Sequence, residues 1–234
     1  MSKDKVLEAL HDKRNSLLYW YPKIKDIAPT PKTEWIPYKF DISWFERGVS
    51  DEVVEKVKEI ARRFGYPVFI RTDEASNKWS YKNSCYVESE DKVKEHINNL
   101  IEFTVMSDLS IKAIVVREFI ELDWRFKAFW GELPIAPEVR VMIRDGEVEE
   151  WFFYWPFDAI RNPSVEWCDA AKYLLEMREI ADAEQHEFLS IARKVAREFE
   201  GYWSIDFARK RGGGWILIDM ALGDASWKPG MKGR

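Results

Sequence analysis

A chain of 234 residues that is 46% hydrophobic and 15% aromatic, with twelve tryptophans, can build one large core or two small ones. That composition excludes a disordered or fibrous protein, and a formal charge of −5 weighs against a general polyanion binder while leaving room for a local basic groove. Cys85 and Cys168 stand far apart with no paired motif, so neither a disulfide framework nor a zinc site is expected, in keeping with a reducing cytoplasm.

The opening MSKDKVLEAL lacks the apolar core of a signal peptide, and no run is long and apolar enough to span a bilayer. A cytoplasmic protein with no membrane association is therefore expected. Glutamine occurs once against 36 Lys+Arg and 41 Asp+Glu, a bias that fits a heat-loving source. Met1–Trp20 reads as a helix with an incomplete apolar stripe, stopped by Pro22. Residues 22–40 carry four prolines and read as an extended connector with a short strand near Thr33–Ile36. Ser50 then caps an amphipathic helix with Val53, Val54, Val57, Ile60, Ala61 and Phe64 on one face, and Gly65 ends it.

Tyr66–Thr72 is a short strand that finishes on Arg71. The polar loop DEASNKWSYKNS follows, then a strand at 85–87. Arg71 and Lys78 around a small-residue loop could grip a phosphate; the commoner meaning is a hairpin with exposed charges. No Walker loop occurs. Ser89 is expected to cap a second amphipathic helix bearing Val93, Ile97, Leu100 and Ile101. A buried strand, AIVV, then runs into Arg117-Glu118-Phe119-Ile120.

Residues 125–155 predict two or three more strands. In Ile135–Ile143, Val139, Val141 and Ile143 alternate with Glu138, Arg140 and Met142, so Glu138 and Arg140 share a face. The plain meaning of that pair is a weak ion pair on a solvated surface. Asp145-Gly146 is a hairpin turn. Beyond a loop at 156–168, residues 169–178 look helical. A separate long helix is expected to open at Asp182, with Gln185 as its capping-box partner and Phe188, Ala192, Val195 and Phe199 on its core face.

Trp203–Asp224, WSIDFARKRGGGWILIDMALGD, reads as a hairpin. A two-residue turn at Gly212-Gly213 pairs Arg211 with Gly214, Ala208 with Leu217, and Asp206 with Asp219. Carboxylates opposed at about 5 Å destabilise a sheet unless one is protonated or a cation lies between them. Either a divalent-metal site or a register off by one, with the aspartates diagonal and solvated, accounts for the pattern. His11, His96 and His186 are scattered, and no Ser-His-Asp or Cys-His arrangement is evident.

This order of elements resembles the ATP-grasp superfamily over about residues 30 to 227. The resemblance implies an α+β fold of two lobes with mainly antiparallel sheets enclosing the nucleotide. On it, residues 1–40 are an N-terminal helix and connector, 41–227 the ATP-grasp domain, and 228–234 a flexible tail. The smaller lobe covers about 50–120 and the larger about 121–227. It implies that Arg71 and Lys78 hold ATP phosphates, and that Glu118, Phe119 and Ile120 serve adenine and ribose at a hinge. It further implies that Arg140, with Glu138 beside it, stabilises the transferring phosphoryl group, and that Asp206 and Asp219 hold Mg²⁺. The family's usual acid-spacer-asparagine appears here as Asp219-Met220-Ala221, which leaves the second metal position without its ligand unless Asp224 substitutes.

The implied activity is an ATP-dependent ligase that activates a carboxylate for attack by an amine, with a small-molecule or peptide substrate. Some relatives of the fold bind Mg-ATP and act as chaperones or assembly factors on a protein partner, and Ala221 favours that alternative. A third reading, nucleic-acid processing through Arg209-Lys210-Arg211 with Trp215 stacking on a base, is weakened by the acidic net charge.

Overall fold

The computed structural model describes residues 8–229. The first turns of the helix expected over Met1–Trp20, and residues 230–234 of the expected flexible tail, lie outside the described residues. What is described of that helix is interrupted. The side chains of Asp12 and Ser16 each accept a backbone N–H and begin new segments, a 3-10 turn Lys13–Asn15 and helix α1, Leu17–Ile24. Pro22, expected as the stop, lies inside α1. A proline there gives up one ladder bond. Burial of Leu17, Trp20, Tyr21 and Ile24 offsets the loss, at about 1.5–3 kcal/mol for each large apolar side chain removed from water.

The chain forms two compact units, a smaller one of Pro31–Ile120 with Lys127–Leu133, and a larger one of Met1–Thr30, Glu121–Phe126 and Pro134–Arg234. Both combine helices with antiparallel sheets, the α+β class expected. The smaller unit contains strands β1 (Thr33–Pro37), β2 (Val68–Thr72), β3 (Tyr86–Val87) and β4 (Ala113–Glu118) in the order β1-β4-β2-β3. Its helices are α2 (Trp44–Arg47), α3 (Asp51–Phe64), α4 (Tyr81–Ser84) and α5 (Val93–Met106).

Helix α3 starts where the Ser50 hydroxyl accepts the Val53 N–H and ends at Gly65, whose φ of +85° suits glycine. Ser89 does not cap α5: its hydroxyl donates to Asp91, and a 3-10 turn Glu90–Lys92 precedes the helix. The stretch read as a loop after Arg71 folds into a 3-10 turn, Lys78–Ser80, running into α4. Val54, Val57, Ile60, Val93, Ile97, Leu100 and Ile101 share one core with Val68, Ile70, Ile114 and Val116 of the sheet. By the strand period of two, Phe69, Arg71, Val115 and Arg117 belong to the opposite face, where the Phe69 ring meets Tyr81 of α4.

A short ribbon, β5 (Phe126–Ala128) with β6 (Leu133–Ile135), follows β4 in the chain. The larger unit then holds β7 (Glu138–Arg144), β8 (Glu147–Phe153), the thirty-residue helix α6 (Trp167–Ala196), β9 (Tyr202–Arg209) and β10 (Trp215–Leu222). Its antiparallel sheet has the order β10-β9-β7-β8. Residues 125–155 thus contain four strands rather than two or three. Asp145 and Gly146, with φ of +48° and +89°, make the β7–β8 turn.

Helix α6 runs through Asp182 without a new start. Residues 179–184 contain no glycine or proline, and buried Met177 and Ala181 carry the apolar stripe across the expected break. Gln185 donates to the Asp182 carbonyl as part of the running helix. Phe188 of α6 packs against Trp151, Phe207 and Trp215, with ring centroids 5.1, 6.2 and 4.9 Å away. The alternate residues Glu138, Arg140, Ser204 and Asp206 therefore lie on the other face. Among the described residues no helix is long and apolar enough to cross a membrane.

Candidate functional site

The β9–β10 connection is longer than the two-residue turn expected. Lys210 N–H donates to the Gly214 carbonyl at 3.0 Å and closes the chain around Arg211, Gly212 and Gly213. Gly212, Gly213 and Gly214 all have positive φ, which is why glycine fills all three positions. The longer loop moves the pairing by one residue, so Ala208 faces Ile216 and not Leu217. A bulge at Ile218 then absorbs one residue of β10, and Asp219 comes opposite Asp206.

Neither protonation nor a metal is required to relieve that opposition, because a guanidinium does so. Strand β7 pairs with the other side of β9 and sets Arg140 directly across from Asp206. Arg140 Nε and Nη2 donate to the two Asp206 carboxylate oxygens, each at 2.7 Å. Its Nη1 donates to the Trp227 carbonyl at 3.0 Å, and the Tyr154 ring lies 4.9 Å from the guanidinium carbon. Burial disfavours the arginine's charge, but the contact and hydrogen bonds with Asp206 outweigh it and hold the pKa above its ordinary value. Glu138 and Arg140 are 5% and 8% exposed, so the solvated surface pair expected of them is instead a buried arrangement in which Arg140 bonds to Asp206.

Asp206 and Asp219 form a donor set that suits magnesium. Each Asp206 oxygen takes one bond from Arg140, and a carboxylate has about four lone-pair sites, so acceptor capacity remains. Asp219 Oδ1 accepts the Met220 N–H at 3.0 Å. Asp224 is exposed on the 3-10 turn Gly223–Ala225, and Ala221 faces Ser204. Among the described residues, no three His, Cys, Asp or Glu side chains gather into a metal cage. Two carboxylates completed by water and phosphate oxygens are what Mg²⁺ commonly takes.

On the smaller unit, Arg71 is 4% exposed on the sheet face opposite that apolar core, its Nε donating to the Thr72 carbonyl. Buried Asp73 accepts the N–H groups of Lys112 and Ala113, which ties the end of β2 to the start of β4. Lys78 begins the 3-10 turn, whose Ser80 N–H is taken by Asn77 Oδ1. Burial pushes the Cys85 thiol up to about 12, while the charges of both Arg71 and Lys78 reach it and pull the other way.

Glu118 Oε1 accepts the Lys32 N–H at 2.8 Å, and the Glu118 N–H returns to the Lys32 carbonyl. The ladder with β2 ends there for a chemical reason. Continuing the Val68–Glu118 register would set Phe119 against Pro67, which has no N–H to give. Among the described residues, Phe119 and Ile120 make no backbone–backbone hydrogen bond. The Phe119 ring meets Tyr86 edge-on at 5.1 Å.

Sequence reasoning passed over Arg117, 4% exposed and on the same face as Arg71, its Nε donating to Thr33 Oγ1. The signal was available, since residues 113, 115 and 117 alternate away from the apolar face. It also passed over Tyr154 and the Trp227 carbonyl, the further contacts of Arg140, for which no local pattern exists.

A family model described as an ATP-grasp domain, family 3 of its clade, matches residues 59–233. No curated protein matches the sequence. Among solved structures, C-terminally truncated Cdc123 from Schizosaccharomyces pombe aligns at TM-score 0.60 and 12% identity, over 95% of this chain and 86% of that one. A RimK domain protein ATP-grasp from Sphaerobacter thermophilus aligns at 0.51 and 12%, over 92% of this chain and 62% of that one. A carboxyaminoimidazole ribonucleotide synthase from Aspergillus clavatus, complexed with ATP, aligns at 0.52 and 11%, over 93% and 46%. The chain thus spans less than two thirds of the last two proteins. At these identities the likeness is one of fold, and it agrees with the family match over most of the sequence: the chain belongs to the ATP-grasp superfamily, in the family that this model describes.

Proposed function

We propose that this protein is a cytoplasmic Mg-ATP-dependent ligase acting on a small-molecule or peptide carboxylate. A carboxylate oxygen attacks the γ-phosphorus as the bond to ADP breaks. An amine or similar nucleophile then attacks the acyl carbon, losing its proton as inorganic phosphate leaves. The observation that best supports this reading is the row Asp219–Asp206–Arg140 across β10, β9 and β7, with Glu138 on the same face.

Asp206 and Asp219 would hold Mg²⁺, which supplies charge neutralisation at phosphate oxygens, and Asp224 is the candidate further ligand. Arg140 is fixed in advance by Asp206, Tyr154 and the Trp227 carbonyl. A guanidinium fixed in this way can stabilise developing phosphoryl charge without reorganising. Arg71 and Lys78 would take further phosphate charge. The backbone of Phe119 and Ile120 would meet the adenine, and Glu118 the ribose.

A non-catalytic ATP-binding role on a protein partner is the second reading. It is favoured by Ala221, which has no ligand atom, and by an Arg140 whose Nε, Nη1 and Nη2 all have acceptors already. Thermal shift and phosphate release together test the two. Mg-ATP should raise the melting temperature, as any ligand selective for the folded state does, and Arg71→Ala should reduce that rise. Phosphate release that depends on an added carboxylate and amine supports the ligase. A full shift without turnover, with a co-purifying protein, supports the second reading. No shift and no calorimetric heat with saturating Mg-ATP would remove both.

A further inference from the structure

Resting on the reading that Lys78 meets ATP phosphates, we infer that the tip of the β5–β6 ribbon, Phe129–Glu132, braces the Lys78 turn, with Gly131 as its positioning residue. The segment that carries Lys78 is two short pieces, the 3-10 turn Lys78–Ser80 and the four-residue α4. Helices of that length do not hold themselves in water, so something outside them must fix their shape. The ribbon tip, within Lys127–Leu133, belongs to the same compact unit as the turn.

Three contacts join the tip to the turn. The Gly131 carbonyl accepts the Lys82 N–H at 3.0 Å, which satisfies one of the orphan donors at the start of α4. The ring of Phe129, 2% exposed, meets Trp79 edge-on at 4.4 Å. Glu132 pairs with Lys82 at 3.5 Å, an exposed contact of small worth. Gly131 itself admits no side chain. A Cβ there would fall 2.6 Å from both Ser80 Cα and the Trp79 carbonyl oxygen, and nearer still to the Tyr81 nitrogen. All three are backbone atoms of the segment that carries Lys78, so any larger residue at 131 has to displace the turn. Phe129 and Glu132 hold positive φ, +62° and +54°, so the tip is a specific backbone shape and not a slack loop.

The closing experiment is a double-mutant cycle read by titration calorimetry with Mg-ATP. It uses the wild type, Gly131→Ala, Phe129→Leu, Lys78→Ala, and each of the first two combined with Lys78→Ala. If the brace acts through Lys78, Gly131→Ala and Phe129→Leu each weaken Mg-ATP binding by about tenfold. Neither then weakens the Lys78→Ala protein further, since the interaction they support is already gone. Hydrogen exchange at the 80–82 amides should quicken in both brace variants.

Brace variants that bind like wild type, or losses that add in full to that of Lys78→Ala, would overturn the inference. Phe129→Leu carries the cycle if Gly131→Ala does not fold. A wild type that binds Mg-ATP normally while the cycle is additive removes the brace alone. A wild type that gives no heat removes the nucleotide reading and the brace with it.

Discussion

Changing Asp206 to asparagine is the sharpest probe of the larger unit, because the sign of the effect depends on which neighbour dominates. Considered only beside Asp219, Asp206→Asn removes a repulsion and should be neutral or stabilise by roughly 0.2–1 kcal/mol. The structure adds Arg140, whose two nitrogens each donate to Asp206 at 2.7 Å in a buried setting. Removing one partner of a buried ion pair costs about 3–5 kcal/mol, because the remaining charge is left uncompensated. Asparagine keeps the shape and one acceptor oxygen, and relief of the Asp219 repulsion returns a little, so the net loss is about 2–4 kcal/mol. For a chain of this size that is a fall in Tm of about 4–16 °C. Asp219→Asn, which leaves the Arg140 pair intact, should change stability by no more than about 0.5 kcal/mol. Scanning calorimetry of the ligand-free variants near neutral pH measures both, and it resolves separate transitions if the two units melt apart. An Asp206→Asn protein that melts within a degree or so of wild type, or an Asp219→Asn protein that falls as far, would refute the assignment of Asp206 to Arg140.

A second ion network predicts the acid limb of stability. Asp123 is pulled up by burial, yet hydrogen bonds from Arg125 and Arg209 hold it below its ordinary value, and Glu184 is lowered chiefly by its hydrogen bond from Arg209. Depressed carboxylates contribute stability above their unfolded values, 3.8 and 4.5, and lose it as pH falls through the lower folded ones. Tm should therefore decline below about pH 4.5, and Arg209→Gln should lower Tm at neutral pH while making that decline shallower; superimposable acid limbs would count against the network. For the thiols, burial pushes Cys85 up to about 12 while Cys168 is exposed. Iodoacetamide at about pH 8 should thus modify Cys168 and spare Cys85 until the protein is denatured. Equal labelling rates in mapped peptides would contradict the burial of Cys85.

Features set by short-range chemistry were legible in the sequence. The Ser50 and Gly65 boundaries of α3, the Asp145-Gly146 turn and the alternation along β7 follow from capping, positive φ and a two-residue period, which act within a few residues. Element order then carried the resemblance to the family. Long-range matters were decided only in three dimensions. The Asp206–Asp219 pairing was reached in the sequence through a turn one residue too short; in the structure a longer loop and the Ile218 bulge offset each other. No local pattern announces such a cancellation, because a bulge is a property of two strands together. Nor does a local pattern say that β7 lies beside β9, with all of α6 between them in the chain. That adjacency places Arg140 against Asp206, so the charge balance of the two aspartates is met by a neighbouring strand before any metal is considered.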